Sequence, residues 1–330
     1  MPPINRRHLL AGTAAVAALS AIPATTQVFA QAATPDLSGK SVLITGTSSG
    51  FGRLGALHYA RAGAKVIATM RNLPRPEAES LAEEAAAEEL DLHIVEIDVL
   101  SDDQVAAGVA EAERLAGGGL DILVNNAGIG ITGPIELQDM TATQLMFDTN
   151  VFGCQRMARA VLPGMRAKGA GAIFNISSQL GRVIVPGAGQ YSPTKFALEA
   201  MSEQMAYELV PHGIDVTIIQ PGGYPTRIWV NRNRYTGELR DRTAEERLQA
   251  YPALVQRMGT EDGSGRSADP LDVPRAIAEI AAMPGGTRPL RRAVHPGRKP
   301  QLEINRISAE TQVAWLGESG FGPWIRAVHD

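Results

Sequence analysis

The chain has 330 residues, with 31 Lys+Arg against 35 Asp+Glu and a formal net charge of −4. Its 44% hydrophobic and 20% charged residues are the balance of a globular protein with a sizeable core, and the slight acidic excess argues against nucleic acid as a partner. One cysteine, Cys154, and six scattered histidines exclude a disulfide framework, a cysteine-rich zinc site and an HExxH helix, so no metal is expected.

Residues 1–30 carry Arg6 and Arg7, no acid, and then the apolar run LLAGTAAVAALSAI over 9–22. A bilayer span needs about 20 apolar residues, so this run is too short for a stable anchor. A charged start, a short apolar middle and the small-residue end Val28-Phe29-Ala30 predict a cleaved export signal. The pair Arg6-Arg7 followed by Leu9-Leu10 resembles a twin-arginine (Tat) signal, which implies the Tat translocase as a transient partner and a bacterial periplasmic location. Residues 31–38 read as a linker, and 39–330 as one domain.

From there, strand and helix patterns alternate. Apolar, β-branched runs predict strands at 41–45, 65–69, 92–97, 120–124, 172–177 and 214–220. Helical stretches lie between them, including 53–62 and the Ala/Glu-rich 76–90, whose Glu83, Glu84, Glu88 and Glu89 read as a solvated face. Strict alternation with buried strands argues for an α/β fold: a single doubly wound, Rossmann-type domain with a parallel sheet and helices on both faces. The stretch 222–267 has weak periodicity and reads as a long substrate loop after a strand.

The first strand-to-helix connection is Thr45-Gly46-Thr47-Ser48-Ser49-Gly50-Phe51-Gly52. Glycines there permit a tight turn and close approach of a pyrophosphate to the free N–H groups of a helix start. Farther on come Asp98-Val99, Asn125-Asn126-Ala127-Gly128, Asn150, Ser177-Ser178, Tyr191-x-x-x-Lys195 and Pro221-Gly222-x-x-x-Thr226. In this order and spacing the set resembles the short-chain dehydrogenase/reductase family, densely over about 38–230.

The resemblance implies hydride transfer between a nicotinamide nucleotide and a carbonyl or secondary alcohol. Tyr191 is then the general acid/base. A tyrosine is ordinarily a poor base at neutral pH, and an ammonium four residues on, together with an oxidised nicotinamide, favours its phenolate. Lys195 also binds the nicotinamide ribose, Ser178 hydrogen-bonds the substrate oxygen, and Asn150 holds a water that passes protons towards Lys195. Gly46, Ser48, Ser49, Gly50, Phe51 and Gly52 cradle the phosphates. Asp98 and Val99 contact the adenine, Asn126, Ala127 and Gly128 line the adenosine side, and Pro221, Gly222 and Thr226 reach the nicotinamide. Pro193 fits a helix that begins at Tyr191, where no N–H partner is lost.

At the end of the second strand, NAD-preferring relatives carry an acid. This chain has Met70 and then Arg71, whose guanidinium suits a 2′-phosphate, so NADP(H) is expected ahead of NAD(H). Cys154 reads as a small buried apolar group. Arg288, Arg291, Arg292, Arg298 and Lys299 read as a solvated loop. Trp315, Leu316, Phe321 and Trp324 suit either a cap on the cleft or a subunit contact; oligomers are common in the family. A non-catalytic redox sensor on the same fold is the rival reading, set against the intact tetrad. A lyase or dehalogenase on this scaffold is disfavoured by the retained glycines.

Overall fold

Residues 35–329 are described by a computed structural model; the stretch 1–30 read as an export signal and half of the stretch read as linker lie outside them. The elements run β1 (Ser41–Ile44), α1 (Gly50–Arg61), β2 (Lys65–Met70), α2 (Pro76–Ala87), β3 (Leu92–Glu96), α3 (Asp102–Ala116) and β4 (Ile122–Asn125). Next come α4 (Met140–Phe147), α5 (Gly153–Lys168), β5 (Gly171–Ile176), α6 (Tyr191–Leu209) and β6 (Ile214–Pro221). The last are α7 (Ile228–Asp241), α8 (Glu245–Gln249), α9 (Pro252–Val255), α10 (Asp272–Ala281), β7 (Arg291–Val294), α11 (Gln301–Leu316) and α12 (Gly322–His329).

The seven strands form one parallel sheet in the order β3-β2-β1-β4-β5-β6-β7. Val42 of β1 stands beside Val66 on one flank and Ile122 on the other, which fixes the register of the centre. Side chains alternate across the sheet. Val42 and Ile44 enter a core with Ala56, Tyr59 and Ile277, while Leu43 enters the opposite core with Val109, Met157 and Val161. Strand order reverses between β1 and β4, and a doubly wound sheet opens its binding crevice at the carboxyl ends of the strands there.

The six strands expected from the sequence are present, with ends shifted by a residue or two. Three findings differ from expectation. Leu37, inside the stretch read as linker, is buried and its N–H donates to the Ala62 carbonyl at 2.8 Å. The stretch 222–267 is largely helical, and Leu239, Val255 and Met258 from it build a third small core with Ile131 and Met146.

The basic stretch read as a solvated loop contains β7. Arg291 is buried between Glu199 at 2.8 Å and Glu203 at 2.5 Å, and Arg288 meets Asp215 at 2.6 Å. Those acids lie more than seventy residues earlier in the chain, so local pattern could not reveal that the charges are neutralised. Arg292 stays exposed.

Cys154 is buried as expected, and burial pushes its thiol up to about 11. Glu84 on α2 and Glu88 just past its end are engaged by Arg53 and Arg61 of α1 at the surface. Trp315 and Phe321 are exposed, and neither lines the cleft.

Candidate active site

The glycine turn is held in shape by close contact. Gly46 has φ +72°, and a Cβ there would stand 3.0 Å from the Ala127 Cα. A Cβ on Gly52 would lie 2.2 Å from the Gly46 carbonyl oxygen and 2.5 Å from Asn126 Nδ2, so only glycine lets α1 start this near β1. The first turn of α1 has no acid, and Ser49 at its N-cap makes no side-chain cap, which leaves the turn's N–H groups for an anion.

The Asn-Asn-Ala-Gly run braces that turn. Asn126 Nδ2 donates to the Thr45 carbonyl at 2.8 Å and the Gly46 carbonyl at 3.1 Å. Thr45 Oγ1 accepts from the N–H of Asn126 at 3.0 Å and of Ala127 at 2.9 Å. Asn125 extends the brace inward, donating to Asn175, which donates to Ser202 on α6, both at 2.8 Å. One polar chain therefore ties the nucleotide turn to the helix that carries Tyr191.

A cleft of about 710 Å³ runs over the carboxyl ends of the strands. Of the residues expected from the sequence to act in catalysis or to contact the nucleotide, Gly52 and Asn150 stay off its wall and the rest line it. Tyr191 opens α6, with Pro193 in the first turn, and Lys195 follows one turn on. Lys195 is buried; its Nζ donates to the Ile176 carbonyl at 2.8 Å and lies 5.7 Å from the centre of the Tyr191 ring. Ser178, two residues past β5, caps a short turn, its Oγ accepting from the Leu180 N–H at 3.1 Å, which leaves the hydroxyl proton to donate.

Asn150 lies in a π-helical turn between α4 and α5. A Cβ on Gly128 would stand 3.2 Å from Asn150 Oδ1 and 3.8 Å from Lys195 Nζ, so these two side chains flank the same point beside the cleft. Both ends of the Asn150 amide are engaged. Its Nδ2 donates to the Ile129 carbonyl at 2.9 Å and Thr194 Oγ1 at 3.1 Å, and its Oδ1 accepts from the Ile129 N–H at 2.9 Å. The side chain thus fixes the loop after β4 against α6.

Just past β2, Arg71 faces the cleft. Its Nη2 donates to the Tyr235 hydroxyl at 3.2 Å, and Asp98 lies 3.9 Å from its Nη1. Arg75, which the sequence did not single out, lines the same corner and reaches the Arg71 carbonyl at 3.4 Å. Trp229 and Arg232 of α7, and Glu261 and Arg266 beyond it, also line the cleft and are not singled out by the sequence. Residues 229, 232 and 236 share one helix face, a spacing visible in the sequence, but mixed aromatic and cationic chemistry hid it as an inward face.

A parallel Rossmann sheet with a glycine turn and a Ser–Tyr–Lys set on one cleft defines a nucleotide-binding oxidoreductase class. The chain belongs to the short-chain dehydrogenase family, whose model matches residues 40–236. It is 40% identical to human retinol dehydrogenase 8 over 281 residues, 82% of this chain and 86% of that protein. Among solved structures, a short-chain dehydrogenase from Streptomyces avermitilis matches with TM-score 0.64 and 30% identity, covering 84% of this chain and 96% of the other. A gluconate 5-dehydrogenase from Burkholderia cenocepacia, solved with NADP and tartrate, matches with TM-score 0.55 and 32% identity over 58% of this chain and 74% of its own.

Proposed function

We propose that the protein is an NADP(H)-dependent oxidoreductase that interconverts a carbonyl compound and its secondary alcohol. The observation that carries this reading is the gathering of Ser178, Tyr191 and Lys195 on the wall of the same cleft as the glycine turn. The cleft suits a dinucleotide: Gly46, Gly50 and Gly52 leave a cradle that a Cβ would strain or fill, and the α1 start offers unpaired N–H groups. Arg71, with Arg75 beside it, supplies charge for a 2′-phosphate, and no acid stands at Met70 to repel one. NADP in the Burkholderia cenocepacia relative supports a nicotinamide nucleotide as cofactor.

A bound nicotinamide nucleotide supplies hydride in one direction and accepts it in the other. The protein's own groups handle the oxygen and the proton. The Ser178 hydroxyl donates to the substrate oxygen and sets its position. The Tyr191 phenol delivers its proton to that oxygen as the carbon is reduced, and takes it back when an alcohol is oxidised. The Lys195 ammonium steadies the phenolate in between and holds the ribose. Asn150 keeps the 129 loop and α6 in register so that these groups stay aligned. No observation favours a non-catalytic sensor, which has no need of this set.

The test is NADPH oxidation by the purified protein against a panel of ketones, aldehydes and quinones. Turnover on at least one, faster with NADPH than NADH, is expected; nucleotide binding with no turnover on any would overturn the reading. We further propose that residues 1–30 direct Tat export of the folded, nucleotide-loaded protein to the periplasm, on the Arg6-Arg7 pair and the short apolar run.

A further inference from the structure

The substrate end of the cleft holds more positive charge than the chemistry above uses. Arg232 reaches into it from α7. The point where a Gly130 Cβ would sit is 3.4 Å from Arg232 Cδ and 3.5 Å from Tyr191 Cδ2, so the arginine stands beside the residue that handles the proton. Its guanidinium packs on the Trp229 ring at 4.4 Å, and that of Arg266 on the same ring at 3.8 Å. Trp229 is itself pinned, its Nε1 donating to the Tyr224 carbonyl at 2.6 Å.

Arg232 is only 16% exposed, and burial draws its pKa below the usual guanidinium value. A charge kept there needs partners. It has one: Glu261 Oε2 accepts from Arg232 Nη2 at 3.2 Å and from Arg266 Nη2 at 3.3 Å. Two guanidinium groups share a single carboxylate oxygen, and Arg232 Nε is buried with no partner. Glu261 is half-exposed on a loop, and Asn233 Nδ2 holds its carbonyl at 2.8 Å. The loop thus presents a carboxylate to these arginines and leaves positive charge over.

We propose that Arg232, backed by Arg266, is an anion subsite that selects substrates carrying a carboxylate near the reacting carbonyl. The substrate class is then an oxo acid in the reducing direction and the matching hydroxy acid in the other. This rests on the carbonyl–alcohol reading above and adds the class of substrate to it. The carbonyl carbon gains the hydride, its oxygen gains the Tyr191 proton, and the carboxylate leaves unchanged. A planar guanidinium with donors to spare suits a carboxylate, and its position beside Tyr191 places that group close to the carbonyl. Ile131, Leu254 and Met258 give the rest of the pocket an apolar wall for the carbon body.

The experiment compares acids with their neutral esters: benzoylformate, acetoacetate and levulinate, each against its methyl ester, with NADPH. Wild-type enzyme should prefer at least one acid to its ester by about tenfold or more in kcat/KM. Arg232→Gln should abolish that preference, lowering the acid about 10- to 100-fold, the loss expected for one charge-assisted contact, with the ester nearly unchanged. Glu261→Gln removes the internal competitor and should lower KM for the acid, a shift no misfolded variant would give.

Carboxylate binding is also read without turnover, as quenching of tryptophan fluorescence by benzoylformate in the nucleotide complex, with Trp229→Phe assigning the signal. Esters used as well as acids, or an acid preference that survives Arg232→Gln, would overturn the subsite while the reductase stands. An equal loss of NADPH affinity in Arg232→Gln would overturn it too, by assigning the arginine to the nucleotide. If no pair turned over, the carbonyl panel would still decide the reductase reading and fluorescence would decide the subsite: equal quenching in wild type and Arg232→Gln would contradict it.

Discussion

Tyr191 is a phenol at the mouth of a helix with a buried ammonium 5.7 Å from its ring, and that pairing sets what its replacement does. Tyr191→Phe keeps the ring and removes the acid. General acid/base groups contribute about 10²–10⁴-fold, so steady-state turnover should fall by at least 10² while NADPH titration stays near wild type. Lys195→Ala should harm both, because the same ammonium serves the phenol and the ribose. At the other end of the cleft, Arg71→Ala should weaken NADPH more than NADH, by about 1–3 kcal/mol for one charge-assisted contact. Titration of both nucleotides checks this, and an equal loss would remove Arg71 from the 2′-phosphate. Tyr235 and Asp98 hold that guanidinium at present, so Tyr235→Phe should have a smaller effect of the same sign.

The elements that carry the site depend on contacts far apart in sequence. Arg291 on β7 sits between Glu199 and Glu203 of α6, the same helix that begins at Tyr191. Arg291→Met leaves Glu199 buried without its partner and should cost about 3–5 kcal/mol in urea unfolding. Glu203 shows how the balance falls. Burial pushes its carboxyl up, but the His329 hydrogen bond, the Arg291 charge and the Tyr207 hydroxyl outweigh that and hold it well below the ordinary value of 4.5. A carboxyl lowered on folding gives its stabilisation in full above its unfolded pKa and loses it as pH falls towards the folded one. The docking of α12 on α6 should therefore loosen below about pH 4.5, and Glu203→Gln should flatten that dependence. Limited proteolysis of the C-terminal helix across pH 3–7 reads both.

Legibility follows the same division. The glycine turn, the tetrad and six strands were readable because each is a local pattern at a strand end or on one helix turn. β7 was not, since Arg291 and Arg292 look solvated until Glu199 and Glu203 are brought beside one of them. Trp229 and Arg232 were missed for a related reason: an inward cation breaks the apolar stripe that marks a buried helix face.

For the molecule as a whole, the sheet reversal between β1 and β4 brings the glycine turn, Tyr191 and the Arg232–Arg266 pair onto one cleft. A protein that carries its nucleotide through export must fold and load first, which is the logic of the proposed Tat route. Replacing both Arg6 and Arg7 by Lys should leave the protein inside the cell on fractionation, and undiminished export in a strain lacking the Tat translocase would contradict that route. The central claim is that this cleft carries hydride to a carbonyl carbon under the control of Tyr191. It is tested most directly with NADPH deuterated at the transferring carbon of the nicotinamide ring and an oxo substrate found by the panel. The account predicts one deuterium on the new carbinol carbon with wild-type protein, at a rate at least about 10²-fold lower with Tyr191→Phe. Nucleotide bound by the wild type with no deuterium reaching any carbonyl, or label transferred as fast by Tyr191→Phe, would contradict it.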